Sequence, residues 1–194
     1  MKMRSLCLLL ISLALIQGRL SASTIEAEKC LKKAVSEVAQ IADHSANSGA
    51  LAVSVRPVLV NIISFDLMTR RAVGPGWREF TEAQKKEATD LFTTLIIRTY
   101  ASKFTPGEFP EITYKTAISP VPGRVEIPTS ILYKGSHYEV IYRQEESVAW
   151  RITDVVIEGV SMIASYRTQF DAQFKQGGAP AVISALKKSV AAPQ

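Results

Sequence analysis

The chain has 194 residues and a formal net charge of +5, and 47% of its residues are hydrophobic. A chain of this length can bury a substantial core within one domain. Basic and acidic residues are interspersed, without the basic blocks or arms typical of nucleic-acid binders, so no nucleic-acid partner is expected.

The first 23 residues have the features of a cleaved secretory signal peptide. Lys2 and Arg4 precede the apolar run 6–16, and the small residues 21–23 follow that run. The run is shorter than the roughly 20 apolar residues that a membrane-spanning helix needs. We therefore expect cleavage after Ser23 and a mature chain that is exported and free in solution.

The remaining residues, 24–194, are predicted to form a single domain. Removing residues 1–23 takes away three basic residues and no acidic one, which lowers the formal charge from +5 to +2. Cys7 leaves with the signal peptide, so Cys30 has no partner for an intramolecular disulfide. One cysteine and two histidines do not supply four metal ligands without carboxylates, and no metal or other cofactor is expected.

Three helices are predicted in the first half of the chain. Apolar residues recur at spacings of three and four over 25–44, which indicates an amphipathic helix. Pro57 suits the first turn of a second helix that runs to Met68. Thr81 and Gln84 form a predicted capping box at the start of the third helix.

After the third helix the apolar period changes to two, which is typical of strands. The predicted strands cover 112–116, 125–133, 138–142 and a segment that begins at Val148. The connections are short, which favours antiparallel neighbours, and Pro128 suggests an edge position or a bulge.

Two more helices are predicted near the C-terminus, over 162–174 and 182–190, with a break at Gly177 and Gly178. Helices thus flank the strands at both ends of the sequence. The predicted fold class is α+β, with a twisted four-stranded antiparallel sheet and flanking helices that enclose an apolar cleft.

No nucleophile, acid–base pair or metal set is completed by a local sequence pattern, and no enzyme activity is predicted. His44 suits a helix C-terminus, and His137 lies beside a hairpin turn. Ser161 suits the N-cap of the helix that follows it. Asp154 is open to two interpretations: a hydrogen bond to a backbone group or an arginine, or a role as a catalytic base.

Three stretches resemble one known family. The first is Phe65-Asp66-Leu67-Met68-Thr69-Arg70 followed by Gly74, Trp77 and Arg78. The second is Thr81, Glu82 and Gln84 at the start of a helix that ends Arg98-Thr99-Tyr100-Ala101, and the third is the run 150–161, WRITDVVIEGVS, which continues through Tyr166 and Phe170 to Gly177 and Gly178. These segments are similar to the MlaC family, also called the toluene-tolerance family. The resemblance covers nearly all of the chain after the signal peptide. The run 70–76, which includes Pro75, departs from the family's usual pattern, where a Leu-Gly pair is more typical.

The resemblance implies a periplasmic phospholipid-binding component of an ABC lipid-transport system. Its partners would be phospholipid as cargo, an inner-membrane ABC transporter with a lipid-binding subunit, and an outer-membrane lipoprotein complex. A protein of this kind is expected to be a monomer and to need no cofactor.

The same resemblance favours lipid contact for a set of residues that would otherwise be assigned to an ordinary core. They lie on the predicted second and third helices, on the strands and on the helix after Ser161. The predicted lipid-binding residues are Phe65, Met68, Phe92, Leu95, Tyr100, Tyr114, Val125, Ile127, Tyr138, Val140, Tyr142, Trp150, Ile152, Val155, Met162 and Tyr166.

Three other functions remain open from the sequence. One is a carrier of the related hopanoid-associated subfamily, with a different lipid. Another is a small cone-shaped α+β enzyme that resembles the nuclear-transport-factor-like superfamily, with Asp154 as its base. The third is a structural adaptor with a filled core and no lipid.

Overall fold

A computed structural model of the protein describes the side chains of residues 23–193, and it describes the backbone from the start of the first helix. The predicted signal peptide lies outside the residues with described side chains, apart from Ser23. Helix α1 spans Met3–Asp43. The α1 residues Ala27, Leu31 and Ala34 are buried at spacings of four and three, as the amphipathic pattern predicts.

Helices make up the first half of the fold and its end. After α1 come α2 (Ser48–Ile62), α3 (Phe65–Val73), a 3₁₀ helix (Gly74–Glu79) and α4 (Glu82–Ala101). The strands are β1 (Glu111–Tyr114), β2 (Ile118–Val121), β3 (Arg124–Tyr133), β4 (Ser136–Glu146), β5 (Trp150–Ile157) and β6 (Val160–Ser161), and α5 (Met162–Ala191) follows them. The α+β class with flanking helices is confirmed.

The sheet has six strands, and the prediction of four is wrong. All of its strand pairings are antiparallel, in the order β1-β3-β4-β5-β6, and β2 pairs with β3 beyond the end of β1. The sequence pattern misses β2 because it is four residues long and contains Pro120. It misses β6 because that strand has only two residues, too few for any alternation.

Pro128 lies inside β3, which has neighbours on both sides, so the edge position is wrong. The carbonyl of Pro128 accepts a hydrogen bond from Lys115 N at 2.9 Å. Lys115 directly follows β1, and β2 begins at Ile118. The missing N–H of the proline therefore faces the break between β1 and β2, where it costs the sheet little.

Helix α2 begins nine residues before Pro57, so the predicted start at Pro57 is wrong. The Asn47 side chain caps this helix by accepting a hydrogen bond from Ala50 N at 2.9 Å, and Pro57 lies in the interior. The predicted continuation to Met68 is also interrupted, because Ser64 N donates to the Ile152 carbonyl of β5 at 2.9 Å. That bond divides the predicted helix into α2 and α3.

The capping box at the start of α4 is confirmed. Gln84 N donates to Thr81 Oγ1 at 3.2 Å, and Thr81 N donates to Gln84 Oε1 at 2.9 Å. Helix α5 kinks at Gly177 and Gly178, where the break was predicted, and Gly178 has a φ of +62° that favours glycine.

Candidate functional site

The predicted lipid-binding residues fall mainly into two apolar clusters. The helical cluster is formed mainly by buried residues of α2, α3, α4 and α5, with Ala42 at the end of α1 and Phe80, and it contains Phe65, Met68, Phe92, Leu95 and Met162. Tyr100 and Tyr166 are partly buried against it. The Phe92 ring meets that of Tyr166 edge-on at a centroid distance of 4.9 Å. Aromatic pairs of this geometry add to the stability given by burial alone.

The sheet cluster lies where α1 and the end of α2 cover the sheet. Its buried members are Ala27, Leu31, Ala34, Ile62, Val125, Ile127, Trp150 and Ile152. Tyr114 and Tyr142 are partly buried against these residues, as is Cys30. The sheet cluster thus brings together the predicted residues of β1, β3, β4 and β5.

Val155 joins the two clusters, because it packs against both. Leu59 of α2 and Ile63 pack against both as well. The apolar interior is therefore continuous from the helices to the sheet, and these three side chains mark the seam.

Two predicted residues lie outside both clusters. Val140 is buried, at 5% exposure, but belongs to neither. Tyr138 is 41% exposed, and it lies two residues into β4, beside the turn that joins β3 to β4. The structure does not bring Tyr138 together with the other predicted residues.

The tyrosines that pack against the two clusters have raised pKa values. Burial, and to a lesser degree the neighbouring Tyr114, raises the pKa of Tyr142 to about 12. Burial also raises the pKa of Tyr100, Tyr114 and Tyr166 above the usual value for a phenol. These groups stay neutral at physiological pH, so they add no charge to the apolar interior.

Asp154 is held in a structural network at the start of α5. Its Oδ2 accepts hydrogen bonds from Ser161 Oγ at 2.7 Å and from Arg143 Nη1 at 3.2 Å. Its Oδ1 accepts from Ile163 N at 3.2 Å. Ser161 in turn caps α5 by accepting from Ala164 N at 3.0 Å, as predicted. The hydrogen-bond interpretation of Asp154 therefore describes its observed contacts.

A polar pocket of about 660 Å³ lies between the sheet and the first turns of α5, and we call it the arginine pocket. It is lined by Arg71, Pro120, Val121, Arg124, Val125, Glu126, Arg143, Gln144, Glu145, Thr153, Asp154, Ser161, Ile163, Ala164 and Arg167. Val125 is the one predicted lipid-binding residue in this lining, among the residues that the structure describes. No local sequence pattern indicates this pocket, since its four arginines come from α3, β3, β4 and α5.

An open groove of about 670 Å³ separates the end of α1 from the start of α2. It is lined by small and polar residues together with Ile41 and His44. His44 Nδ1 lies 2.8 Å from the Gln40 carbonyl, which is the helix-terminal role predicted for it. The groove contains none of the predicted lipid-binding residues with described side chains.

Neither a metal site nor a membrane span is found in the part of the chain that the structure describes. No group of three or more histidine, cysteine, aspartate or glutamate side chains there could hold a metal ion. No helix there is both long and apolar enough to cross a membrane.

Comparison with known proteins gives a family and a fold. The MlaC protein family model matches residues 28–188. None of the curated proteins compared with the chain matches it. A solved structure described as the phospholipid-binding protein from Ralstonia solanacearum in complex with a phospholipid has the same fold, with a TM-score of 0.78. The sequence identity is 24%, and the match covers 86% of this chain and 97% of the other.

Proposed function

We propose, from the premise that this chain belongs to the MlaC family, that it binds phospholipid in the periplasm and carries it between two membrane complexes. One is an outer-membrane lipoprotein complex, and the other is an inner-membrane ABC transporter with a lipid-binding subunit. The chain acts as a monomer, without a cofactor and without catalysis.

The shared fold with a phospholipid-bound protein is the observation that carries the proposal. In our chain, the continuous apolar interior at the seam between the helical cluster and the sheet cluster is the place that we propose for the acyl chains. Burying a chain of about 16 carbons at roughly 0.8 kcal/mol per methylene gains on the order of 12 kcal/mol before ordering costs. The tails therefore supply most of the affinity.

The interior has to open for lipid to enter, because buried side chains fill both clusters. An empty apolar cavity of about 500 Å³ would cost on the order of 12 kcal/mol, which is as large as the whole stability of a typical domain. The lipid-free chain is thus expected to stay closed. Separation of α1 from the sheet breaks the buried hydrogen bond from Gln144 Nε2 to the Ala27 carbonyl at 3.2 Å.

The contacts of Asp154 support a carrier over an enzyme. Its two carboxylate oxygens accept from Ser161, Arg143 and Ile163, and these bonds fix the start of α5. A catalytic base needs a free lone pair within reach of a substrate proton. The Asp154 carboxylate offers about four lone pairs, and three of them already accept these bonds, which leaves little capacity for a substrate proton.

Native mass spectrometry of the full chain, produced in a bacterial host, tests the proposal. We expect one phospholipid per chain, and organic extraction should give mixed head groups, because the tails dominate binding. The same spectrum gives the chain mass, and loss of residues 1–23 is expected there. A folded chain that is empty, and stays empty after incubation with phospholipid vesicles, would contradict lipid carriage.

A further inference from the structure

The strand register places the arginines of the arginine pocket and helix α1 on opposite faces of the sheet. Val125 pairs with Gln144, and Gln144 Nε2 donates to the Ala27 carbonyl of α1 at 3.2 Å, so this pair faces α1. The next pair along the two strands is Arg124 with Glu145. Because successive side chains of a strand point to opposite faces, Arg124 and Glu145 point away from α1. We call that side of the sheet the outer face.

Two aliphatic side chains of β2 also lie on the outer face. Ile118 pairs with Glu126 and Val121 pairs with Arg124, and both partners belong to the outward-pointing set of β3. Ile118 is 50% exposed and Val121 is 46% exposed. Val121 also lines the arginine pocket, so apolar and cationic groups are contiguous there.

A third aliphatic side chain is exposed at the same end of the sheet. Val148 lies at the turn between β4 and β5 and is fully exposed. Glu146 N donates to the Gly123 carbonyl at 2.9 Å, which holds this turn beside the turn between β2 and β3. Single exposed aliphatic residues are common in soluble proteins, but a group of them beside charged residues is typical of an interaction surface.

The outer face has a local excess of positive charge. Arg71 Nη2 lies 2.9 Å from both carboxylate oxygens of Glu145, and Arg124 Nε lies 3.4 Å from the same carboxylate. Arg167 donates to the Arg71 carbonyl at 3.0 Å and forms no ion pair with any described residue. Three arginines thus share one carboxylate, which leaves a formal charge of +2 for acidic groups to neutralise.

The rest of the arginine pocket has the opposite balance. Arg143 lies between two carboxylates, at 2.9 Å from Glu126 and 3.2 Å from Asp154. That arrangement leaves a formal charge of −1. An acidic group is therefore directed to the end of the pocket that lies beside Val121.

A protein segment fits this surface better than a free anion does. A free phosphate or carboxylate would neutralise the arginines but would leave Ile118, Val121 and Val148 in water. A segment that carries acidic and aliphatic side chains contacts both sets of residues at once. Arginine is enriched at protein interfaces, where its planar guanidinium binds carboxylates in a bidentate geometry. The pocket volume of about 660 Å³ accommodates side chains of such a segment.

We infer that the outer face docks a partner protein through a segment with acidic and aliphatic side chains. The carboxylates of the segment bind Arg71, Arg124 and Arg167, and its aliphatic side chains cover Ile118 and Val121. Docking at this surface goes beyond the proposed function and does not depend on bound lipid, since the acyl chains are proposed to lie on the other face of the sheet.

Selection of peptides from a random library displayed on phage, with the full wild-type chain as the target, tests the charge of this surface. The selected peptides are then measured by fluorescence anisotropy against a double variant, Arg124→Gln with Arg167→Gln. The matched control is Arg70→Gln with Arg78→Gln, which lowers the net charge by the same two units at exposed residues outside the pocket lining.

A second pair of variants tests the aliphatic part. Ile118→Ser with Val121→Ser removes the two side chains of β2, and Val53→Ser with Val60→Ser removes two exposed valines of α2 as the matched control. Urea denaturation checks that every variant is folded. Arg124→Gln alone, at a side chain that is 57% exposed, gives the charge comparison if the double variant is unstable.

The selected peptides are expected to be rich in aspartate, glutamate and aliphatic residues, and added salt should weaken their binding. The charge variant should bind them about tenfold more weakly than the wild type, since two partly exposed ion pairs are lost. The aliphatic variant should also bind them more weakly, and both controls should bind them as the wild type does. Phospholipid occupancy, read by native mass spectrometry, should be the same in all these chains.

Equal peptide affinity in the charge variant and its control would overturn the inference, as would a selection that yields no peptide. Free glutarate is titrated by calorimetry, and an affinity equal to that of the selected peptides would mean a site for small anions in place of a docking surface. A wild-type chain that binds the peptides but no phospholipid would defeat the proposed function and leave the docking surface standing.

Discussion

Phe92 in the helical cluster and Ile127 in the sheet cluster are both fully buried, but their surroundings differ. Phe92 is enclosed by aromatic rings, with Tyr166 at 4.9 Å and Phe170 at 5.7 Å. Ile127 pairs with Tyr142 of β4. Two residues further along β4 lies Gln144, whose buried side-chain amide has only part of its hydrogen bonds. The helical cluster has the closed packing of a scaffold, whereas the sheet cluster keeps polar groups that a ligand could complete.

This comparison of the two clusters indicates where the apolar interior can open at the lowest cost in free energy. Separating the helices would break ring contacts that have no substitute in the bound state. Separating α1 from the sheet exchanges aliphatic contacts for equivalent contacts with acyl chains. We therefore propose that the helical cluster is the scaffold and that residues 27–34 of α1 form the movable wall of the proposed lipid site.

The largest expected effect is a loss of stability when one buried side chain of each cluster is truncated. Phe92→Ala should lower the free energy of unfolding by about 3 to 5 kcal/mol, and Ile127→Ala by about 2 to 5 kcal/mol, in lipid-free protein. At saturating phospholipid the deficit of Ile127→Ala should shrink, because the acyl chain fills part of the cavity. The deficit of Phe92→Ala should remain. Urea denaturation of each variant, with and without lipid, measures both quantities.

Val53→Ala serves as the control for these truncations, since Val53 is 74% exposed and the change should stay within about 0.5 kcal/mol. The assignment of the two clusters would be wrong if added lipid rescued Phe92→Ala and left Ile127→Ala unchanged.

A smaller effect is expected from alkaline pH at the sheet cluster. The pKa of Tyr142 is raised from about 10 in an unfolded chain to about 12 in the folded chain. The folded state thus favours the neutral phenol, whose contribution is fully present below pH 10 and is lost as the pH rises through 12. The loss is about 2 to 3 kcal/mol, and Tyr142→Phe should abolish it. Urea denaturation at several pH values between 9 and 12 gives the free energy of unfolding of the wild type and of Tyr142→Phe. The same dependence of this free energy on pH in both proteins would contradict the prediction.

Local patterns predicted the parts of the fold that local contacts determine. The Thr81 and Gln84 capping box, the Ser161 cap and the break at Gly177 each depend on residues within a few positions of one another. The start of α2 was predicted wrongly because the Asn47 side chain caps the helix nine residues before Pro57. The strands β2 and β6 were not predicted because they are too short to show an alternation of apolar and polar residues.

The candidate site was less accessible from the sequence. Alternation on β3 and β5 selected Val125, Ile127, Trp150 and Ile152, which do meet beneath α1. It also selected Tyr138, because period alone does not show how far α1 extends over the sheet. The arginine pocket forms only in the tertiary structure. Alternation along a strand predicts that an arginine is exposed, but it does not predict which other arginines lie next to it.

Amide hydrogen exchange of the full chain, with and without bound phospholipid, tests the central claim most directly. We predict that lipid slows exchange on the sheet cluster side, over residues 27–34 of α1 and along β3 and β4, and that exchange around Phe92 in α4 stays the same. Protection confined to α4 and α5, with no change in α1 or the sheet, would contradict the assignment of the lipid site to the space beneath α1.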